Sequence, residues 1–184
     1  MGAKAATMTK DAGIEAVKAK IRDVPDFPKP GILFKDITPV LADPASFRTV
    51  VDRFADRYES ARPEVIVAIE SRGFLLGSAL AYRLGVGMAL VRKPKKLPYK
   101  TIRQEYTLEY GTDALEAHVD AVAKGQRVVV IDDLLATGGT AGATVELVKK
   151  LGGVVQECAF VIELAFLDGK KKLAPTPVFS LIQY

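Results

Sequence analysis

The chain has 184 residues, of which 49% are hydrophobic and 26% charged, values typical of a single globular domain. The net charge of +4, from 26 Lys and Arg against 22 Asp and Glu, is too small to indicate a nucleic-acid-binding protein. One cysteine and one histidine exclude a disulfide framework and a Cys/His zinc site. Because the sequence has no apolar run long enough to cross a bilayer and no secretory signal, we expect a cytoplasmic protein.

The N-terminal part of the sequence predicts a short helix followed by an irregular segment. Within residues 11–22, apolar side chains recur at helical spacing among charged neighbours. Residues 24–41 contain four prolines, which exclude a helix interior there. Ile32–Phe34 is the best candidate for a short strand in this segment.

Alternating helices and strands follow. Asp43 and Pro44 are residues that favour a helix start, and apolar residues at helical spacing continue to Tyr58. The β-branched run Val65–Ile69 is typical of a strand that is buried on both faces. The other predicted elements are helices over 74–84, 113–122 and 140–151, strands over 86–91, 127–131, 154–162 and 178–182, and an exposed β-ribbon over 98–111. This alternation predicts an open, mainly parallel α/β sheet flanked by helices.

The stretch 132–140, DDLLATGGT, leaves a predicted strand and enters a helix, and ligands of open α/β sheets bind beyond the carboxyl ends of strands. Its glycines allow a tight turn that points successive N–H groups at one place, and Thr137 and Thr140 add hydroxyl donors. The helix dipole favours an anion at the same position. No lysine follows the glycines, so this is not a Walker loop. A phosphate monoester fits the turn.

Two acids, Asp132 and Asp133, come directly before this turn and would repel a phosphate beside them. They must therefore bind something neutral or cationic, such as sugar hydroxyls or a hydrated Mg²⁺. Together with the turn they suggest a ribose 5-phosphate ligand, while the alternative is an ordinary glycine-rich turn with an Asp cap. The basic stretch 92–98 also follows a strand, whereas the three consecutive lysines in 169–173 indicate a solvated surface.

The segment 128–141, VVVIDDLLATGGTA, resembles the motif that binds 5-phosphoribosyl 1-pyrophosphate (PRPP) in type I phosphoribosyltransferases. More blocks resemble the branch of that family that acts on adenine, in its order and spacing: RDVPDFPKPGILFKDITPVL (22–41), ESRGFLLG (70–77), RKPKKLP (92–98), YTLEYG (106–111) and LAPTPVFSLIQY (173–184). The resemblance implies the fold of that family and the formation of AMP and pyrophosphate from adenine and PRPP. It also implies Mg²⁺ held mainly through PRPP, with no all-protein metal site, and a homodimer.

The resemblance further implies which residues bind PRPP. The residues expected to bind the 5′-phosphate are Ala136, Thr137, Gly138, Gly139 and Thr140, and Asp132 and Asp133 are expected to hold the ribose hydroxyls and help to place the metal. The residues expected to bind pyrophosphate are Glu70, Ser71, Arg72, Gly73, Arg92 and Lys96. Arg72, whose planar guanidinium suits phosphoryl oxygens, is also expected to act in catalysis, and the Glu70–Ser71 peptide is expected to be cis.

For the base, the resemblance implies a hood formed by residues 1–40 over a core formed by residues 41–184. Main-chain groups near Leu33 and Lys35 would bind the edge of adenine. Phe34 would stack on one face of the ring, and Leu134 would pack on the other.

Glu109 is the residue expected to accept the proton that adenine loses. It lies in the ribbon that closes over the ligands in this family, with Tyr110 beside it in the same flexible loop.

Two other functions remain open from the sequence. One is a PRPP-sensing regulator on the same fold, but the chain has no room for an added DNA-binding module and keeps Glu109, which a sensor would not need. The other is a phosphoribosyltransferase for another purine base, against which the hood sequence and residues 106–111 argue.

Overall fold

The computed structural model describes residues 10–107 and 111–184 of the chain. The residues up to Asp52 form one compact unit, and Arg53–Tyr184 form another. The border between residues 40 and 41 that was expected for the hood stays a prediction. Within the two described ranges, no helix combines the length and the apolar character that a membrane span needs.

The first unit contains short elements that start with helix α1 (Lys10–Lys20). Strands β1 (Arg22–Val24) and β2 (Phe34–Asp36) then pair in antiparallel register, and the short helix α2 (Thr38–Ala42) follows with a proline in its first turn. Helix α3 (Pro44–Tyr58) begins in this unit and continues into the second. The helix predicted after Asp43 is confirmed. The segment 24–41 is less irregular than predicted, because proline is tolerated in the first turn of a helix.

Besides the end of α3, the described residues of the second unit form a parallel sheet, a separate ribbon and two further α-helices. In chain order its elements are β3 (Val65–Ile69), α4 (Arg72–Leu84), β4 (Gly87–Val91), β5 (Thr101–Thr107), β6 (Thr112–His118), β7 (Arg127–Leu135), α5 (Gly139–Leu151), β8 (Val154–Glu163) and β9 (Val178–Gln183). The sheet has the strand order β4–β3–β7–β8–β9, and every neighbouring pair is parallel. The five strands predicted over 65–69, 86–91, 127–131, 154–162 and 178–182 are confirmed, and β7 extends beyond Ile131 through the two acids.

Helices cover both faces of this sheet. Successive side chains of a strand point to opposite sides, so the neighbours Val67 and Ala68 show which helix lies on each face. Val67 of β3 belongs to a buried cluster with Leu147 of α5. On the opposite face α4 lies directly against β3, since a Cβ on Gly77 would lie only 2.7 Å from the Cβ of Ala68. The predicted fold class, an open and mainly parallel α/β sheet flanked by helices, is confirmed.

The helix predicted over 113–122 is wrong, because this part of the chain forms strand β6. All seven residues of β6 pair with β5 in antiparallel register, and Glu116 also exchanges main-chain hydrogen bonds with Arg92 at 2.7 and 2.9 Å. The sequence DALEAH has a good intrinsic helix propensity. Burial of Leu115 and Ala117 in the core together with the strand pairing outweighs that local preference.

A charged cluster ties α3 to β8 within the second unit. Arg57 donates from two guanidinium nitrogens to the two carboxylate oxygens of Glu157, each at 2.6 Å, and the Tyr58 hydroxyl donates to the same carboxylate at 2.7 Å. Burial by itself raises the pKa of Glu157, but the hydrogen bonds from Arg57 and Tyr58 outweigh it and leave the pKa below its ordinary value. Glu157 is therefore ionised and fully paired in the folded protein.

We expect Glu157→Gln to lower the free energy of unfolding at neutral pH by about 1–3 kcal/mol, because the charged hydrogen bonds are lost. The folded-state pKa of Glu157 lies below the unfolded value of about 4.3, so its contribution is complete above that value and is lost as the pH falls through the folded pKa. Urea unfolding of wild type and variant should therefore converge in acid. Glu59→Gln, on the exposed surface, is the control, and a pH-independent difference for Glu157→Gln would contradict the prediction.

Candidate active site

The carboxyl ends of β3 and β7 lie next to each other, because the two strands are parallel neighbours in the sheet. Arg72 follows β3, and Asp133 lies near the end of β7. The Nε atom of Arg72 donates to Oδ2 of Asp133 at 2.5 Å, and Asp133 is only 3% exposed. This bond brings together two segments that the sequence assigned to one site.

The Glu70 carboxylate fixes the position of the basic loop 92–98 that follows β4, and this loop is called the Glu70-fastened loop below. It accepts hydrogen bonds from Nε of Arg92 at 3.1 Å, from Nζ of Lys96 at 2.7 Å and from the main-chain N–H of Lys93 at 2.9 Å. Burial alone raises the pKa of Glu70, but these three donors outweigh it and lower the pKa below the ordinary value. Glu70 therefore contributes by orienting cations, while the cationic side chains of Arg92 and Lys96 present charge at the end of the sheet.

The first turn of α4 approaches the end of β7 very closely. A Cβ on Gly73 would lie 2.8 Å from the main-chain oxygen of Ile131 and 3.0 Å from Oδ1 of Asp132, so a side chain does not fit there. Ser71, the exposed residue just before the helix, makes no capping hydrogen bond with its side chain. The Glu70–Ser71 peptide is cis, as the resemblance implies.

The glycine-rich turn after β7 leads directly into helix α5. Gly138 has a φ of +79°, a left-handed conformation that favours glycine, and its carbonyl accepts the N–H of Gly142 at 2.9 Å. Asp132 and residues 134–141 line a cavity of about 180 Å³ at this position. The first N–H groups of a helix have no partner within the helix, so the cavity lies where an anion is favoured.

The two adjacent acids of β7 differ in how their charge is balanced. Asp133 is paired with Arg72, whereas burial and the neighbouring Asp133 carboxylate raise the pKa of Asp132 well above its ordinary value. The Oδ1 atom of Asp132 accepts the main-chain N–H of Asp133 at 2.8 Å. A cation or sugar hydroxyls beside Asp132 would favour its ionised form, so the site is suited to such a ligand.

The structure also joins three residues that the sequence did not connect. Nζ of Lys93 donates to the Asp113 carboxylate and, at 3.0 Å, to the Tyr106 hydroxyl, which itself donates to Asp113 at 3.2 Å. The hydrogen bond from Lys93 lowers the pKa of Asp113. The side chain of Lys93, which belongs to the basic stretch 92–98, therefore contacts the β5–β6 ribbon. Asp113 was missed because it was assigned to a helix, and no local signal marks the pairing.

Tyr106 connects this Lys93 cluster with the start of α5. A Cβ on Gly139 would lie 3.2 Å from the Tyr106 ring, and the Thr140 hydroxyl donates to the Tyr106 hydroxyl at 3.4 Å. The ribbon formed by β5 and β6 is therefore in contact with the glycine-rich turn. Residues 108–110 come directly after the end of β5 in the chain.

Comparison with known proteins shows the family to which this chain belongs. The family model for the phosphoribosyl transferase domain matches residues 37–177. The adenine phosphoribosyltransferase of Syntrophotalea carbinolica is 58% identical over 171 residues, which cover 93% of this chain and 100% of that protein. The chain belongs to the adenine phosphoribosyltransferase family.

Solved structures of the adenine phosphoribosyltransferase family have the same fold. The enzyme from Thermoanaerobacter pseudethanolicus superposes with a TM-score of 0.91 at 56% identity, covering 93% of this chain and 99% of that chain. The Saccharomyces cerevisiae enzyme, complexed with an imino-altritol bisphosphate and adenine, has a TM-score of 0.90 at 40% identity and covers 94% of this chain and 99% of that chain.

The residues expected to bind adenine are divided between the two units. Leu33 is half exposed in the first unit, and the Phe34 ring meets Phe27 edge to face at 5.1 Å. Lys35, which is 9% exposed, forms an ion pair with Asp23 at 2.6 Å across β1 and β2.

The remaining predicted site residues are Leu134, Glu109 and Tyr110. Leu134 lies on β7 in the second unit. Glu109 and Tyr110 lie outside the described residues, so the roles expected of them stay predictions.

We expect Lys93→Met to loosen the β5–β6 ribbon, because Asp113 and Tyr106 lose the cation that joins them. Hydrogen–deuterium exchange of peptides covering 101–107 and 112–118 should become faster in this variant. Lys95→Met is a matched control, since Lys95 is exposed and contributes its main-chain N–H to Glu116. Equal exchange in the two variants would show that the Lys93 cluster does not hold the ribbon.

Proposed function

We infer that this protein transfers the 5-phosphoribosyl group of PRPP to adenine and releases pyrophosphate, so that AMP is formed. The observation that carries the inference is the arrangement at one edge of the parallel sheet. There, a helix start suited to a phosphate lies after β7, and a loop of cationic side chains lies beside the neighbouring strand β3. A sugar with a phosphate at one end and a pyrophosphate at the other matches this arrangement. Adenine is the acceptor, as the membership of the family supports.

The phosphate end of PRPP is proposed to bind in the cavity at the start of α5. The main-chain N–H groups of residues 136–140 donate to the 5′-phosphate, with the hydroxyls of Thr137 and Thr140 as further donors. The acids Asp132 and Asp133 bind the ribose hydroxyls from the end of β7. Asp132 also lines this cavity, which supports this role, because carboxylate oxygens accept hydrogen bonds from hydroxyl groups.

The pyrophosphate end is proposed to bind to Arg72 and to the Glu70-fastened loop, through Arg92 and Lys96, with Ser71 and Gly73 at the start of α4. As the bond between C1′ and the pyrophosphate oxygen breaks, negative charge moves onto the departing group. Cations that are already oriented stabilise that charge without having to reorganise. Arg72 is fixed through its Nε by Asp133, which supports its role in catalysis.

Magnesium fits the chemistry of this site. Within residues 10–107 and 111–184 no group of three or more His, Cys, Asp or Glu side chains forms a cluster that could hold a metal ion. Asp132 and Asp133 offer hard carboxylate oxygens, and Mg²⁺ is commonly bound by one or two carboxylates together with substrate phosphates. We propose that these two acids help to hold Mg²⁺ on PRPP, where it neutralises charge on the pyrophosphate.

The base is proposed to meet main-chain groups near Leu33 and Lys35, with Phe34 and Leu134 on its ring faces. Adenine N9 forms a bond to C1′ while the pyrophosphate leaves, and the ring must lose one proton. Glu109 is proposed to accept it. The position of Glu109 in the chain supports this role, because Thr107, two residues earlier, lies close to the start of α5. The main-chain oxygen of Thr107 would lie 3.6 Å from a Cβ on Gly139.

We also propose that the protein is a cytoplasmic homodimer. The exposed side chains of α4 support a self-association surface, since Leu75 is 50% and Tyr82 91% exposed. A cytoplasmic location is supported by the substrate, because a sugar with several phosphate charges does not cross a bilayer unaided.

We expect the purified protein to form AMP from radiolabelled adenine, PRPP and Mg²⁺, and to reject hypoxanthine, xanthine and guanine. A site with fixed partners for a 6-amino group leaves buried polar groups unpaired against a 6-oxo group, so kcat/KM should fall by roughly 10⁴-fold. Comparable turnover of another base would change the assigned acceptor. PRPP binding without nucleotide formation from any base would instead indicate a sensor.

We expect Glu109→Ala to lower kcat by about 10²–10⁴-fold, because adenine loses its proton acceptor, while PRPP affinity persists. Glu105→Ala is a matched control, since Glu105 comes four residues earlier in the chain, on β5, where it is exposed and pairs with Arg103. Single-turnover rates and PRPP titrations separate chemistry from binding. An unchanged kcat would remove Glu109 from the mechanism.

A further inference from the structure

Gly169 lies against the main chain of the phosphate-binding turn. A Cβ on Gly169 would lie 2.1 Å from the carbonyl oxygen of Ala136 and 3.1 Å from the main-chain nitrogen of Gly138. In the other direction, a Cβ on Gly138 would lie 2.4 Å from the carbonyl oxygen of Gly169. Both glycines are buried. Two stretches of backbone therefore touch without any side chain between them, and neither can move toward the other.

A buried acid holds Gly169 in this place. The next residue, Lys170, forms an ion pair with Glu163 at 2.7 Å, and Glu163 is 5% exposed. The same carboxylate accepts the Ser180 hydroxyl at 2.5 Å and the Gln183 side-chain amide at 3.2 Å. Glu163 ends β8, so the segment that carries Gly169 is tied to the rigid sheet.

A main-chain bond ties the same segment to the strand that precedes the turn. The N–H of Leu164 donates to the carbonyl of Leu135 at 2.9 Å, and Ala136 comes next in the chain. The segment that carries Gly169 and the turn that begins at Ala136 are therefore each held by one of two neighbouring strands, β8 and β7. Sequence alone indicated a solvated surface for 169–173, which holds for the three exposed lysines but not for Gly169, which is buried.

We propose that Gly169 and the Glu163–Lys170 ion pair, together called the Gly169 brace, position the turn that binds the 5′-phosphate. The residues of the brace are positioning residues, because Gly169 contacts the main chain of the turn and the ion pair holds the residue next to Gly169. The proposal rests on the function assigned above. Its physical basis is that main-chain donors bind a phosphate well only if several N–H groups converge, and Gly138 and Gly139 have no side chains that could hold that shape.

The brace should affect one end of PRPP and not the other. The Gly169 contacts are with Ala136 and Gly138, whereas the Glu70-fastened loop is held by separate hydrogen bonds. A general loss of stability would weaken every ligand, but a displaced turn weakens only those that carry the 5′-phosphate. Ribose 5-phosphate and inorganic pyrophosphate are therefore suitable probes, each measured by calorimetric titration of the full chain.

The first test compares Gly169→Ala with Gly142→Ala. The new methyl group at 169 must displace Ala136, whereas a Cβ on Gly142 would meet its nearest neighbour, the Lys172 carbonyl oxygen, at an ordinary 3.7 Å. We expect Gly169→Ala to weaken ribose 5-phosphate by about tenfold or more and to raise KM for PRPP in parallel, since small displacements of binding groups are costly. Pyrophosphate affinity in Gly169→Ala, and both affinities in Gly142→Ala, should stay within about twofold of wild type.

The second test uses the adjacent lysines and decides the question if Gly169→Ala does not fold. Lys170→Met removes the partner of the buried Glu163, whereas Lys171→Met removes only an exposed pair with Asp168. We expect the first variant, and not the second, to weaken ribose 5-phosphate selectively. Equal affinities in the two lysine variants, or equal losses of ribose 5-phosphate and pyrophosphate, would overturn the proposal.

Failure of the brace and failure of the proposed function give different results. If wild type forms AMP but the brace variants bind ribose 5-phosphate as wild type does, the brace is wrong and the function stands. If wild type forms no nucleotide but ribose 5-phosphate binding still depends on Gly169 and Lys170, the brace stands and the assigned reaction is wrong.

Discussion

The proposed site depends on one carboxylate, that of Glu70, which lies among the cations that follow β4. Cationic side chains on one short loop repel each other, and in isolation they would point apart into solvent. Glu70 accepts hydrogen bonds from Arg92, Lys96 and the main chain of Lys93, so it offsets that repulsion and fixes where each donor lies. Its lowered pKa means that it stays ionised under ordinary conditions. The loop is therefore oriented before any anion approaches it.

Asp132 and Asp133 lie close to the groups proposed to bind anions. The charge of each acid is reduced in a different way. Asp133 is paired with Arg72, which turns a repulsive carboxylate into an anchor for a guanidinium. Asp132 has a raised pKa, because burial and Asp133 both disfavour its charge. Repulsion between this pair and a phosphate at the start of α5 is thereby reduced, although the acids come directly before the turn in the sequence.

The sequence predicted best those parts of the fold that depend on local pattern. Val65–Ile69 and the helix that begins at Pro44 carry their signals in consecutive residues, and both were confirmed. Strand β6 was predicted as a helix, because its pairing with β5 is a property of two segments and its own residues favour a helix. The same mistake hid Asp113, whose side chain points to Lys93 only when residue 113 is in a strand.

Candidate site residues show the same division between local and distant information. The turn after β7 could be recognised because its glycines, threonines and acids are consecutive. The groups that touch it from both sides could not: Tyr106 comes from an earlier ribbon and Gly169 from a later segment that looks like a solvated lysine run. A turn built from glycines gains close approach to a phosphate but loses the side chains that would hold its shape. Its geometry must therefore be supplied by neighbours, and those neighbours are visible only in the folded chain.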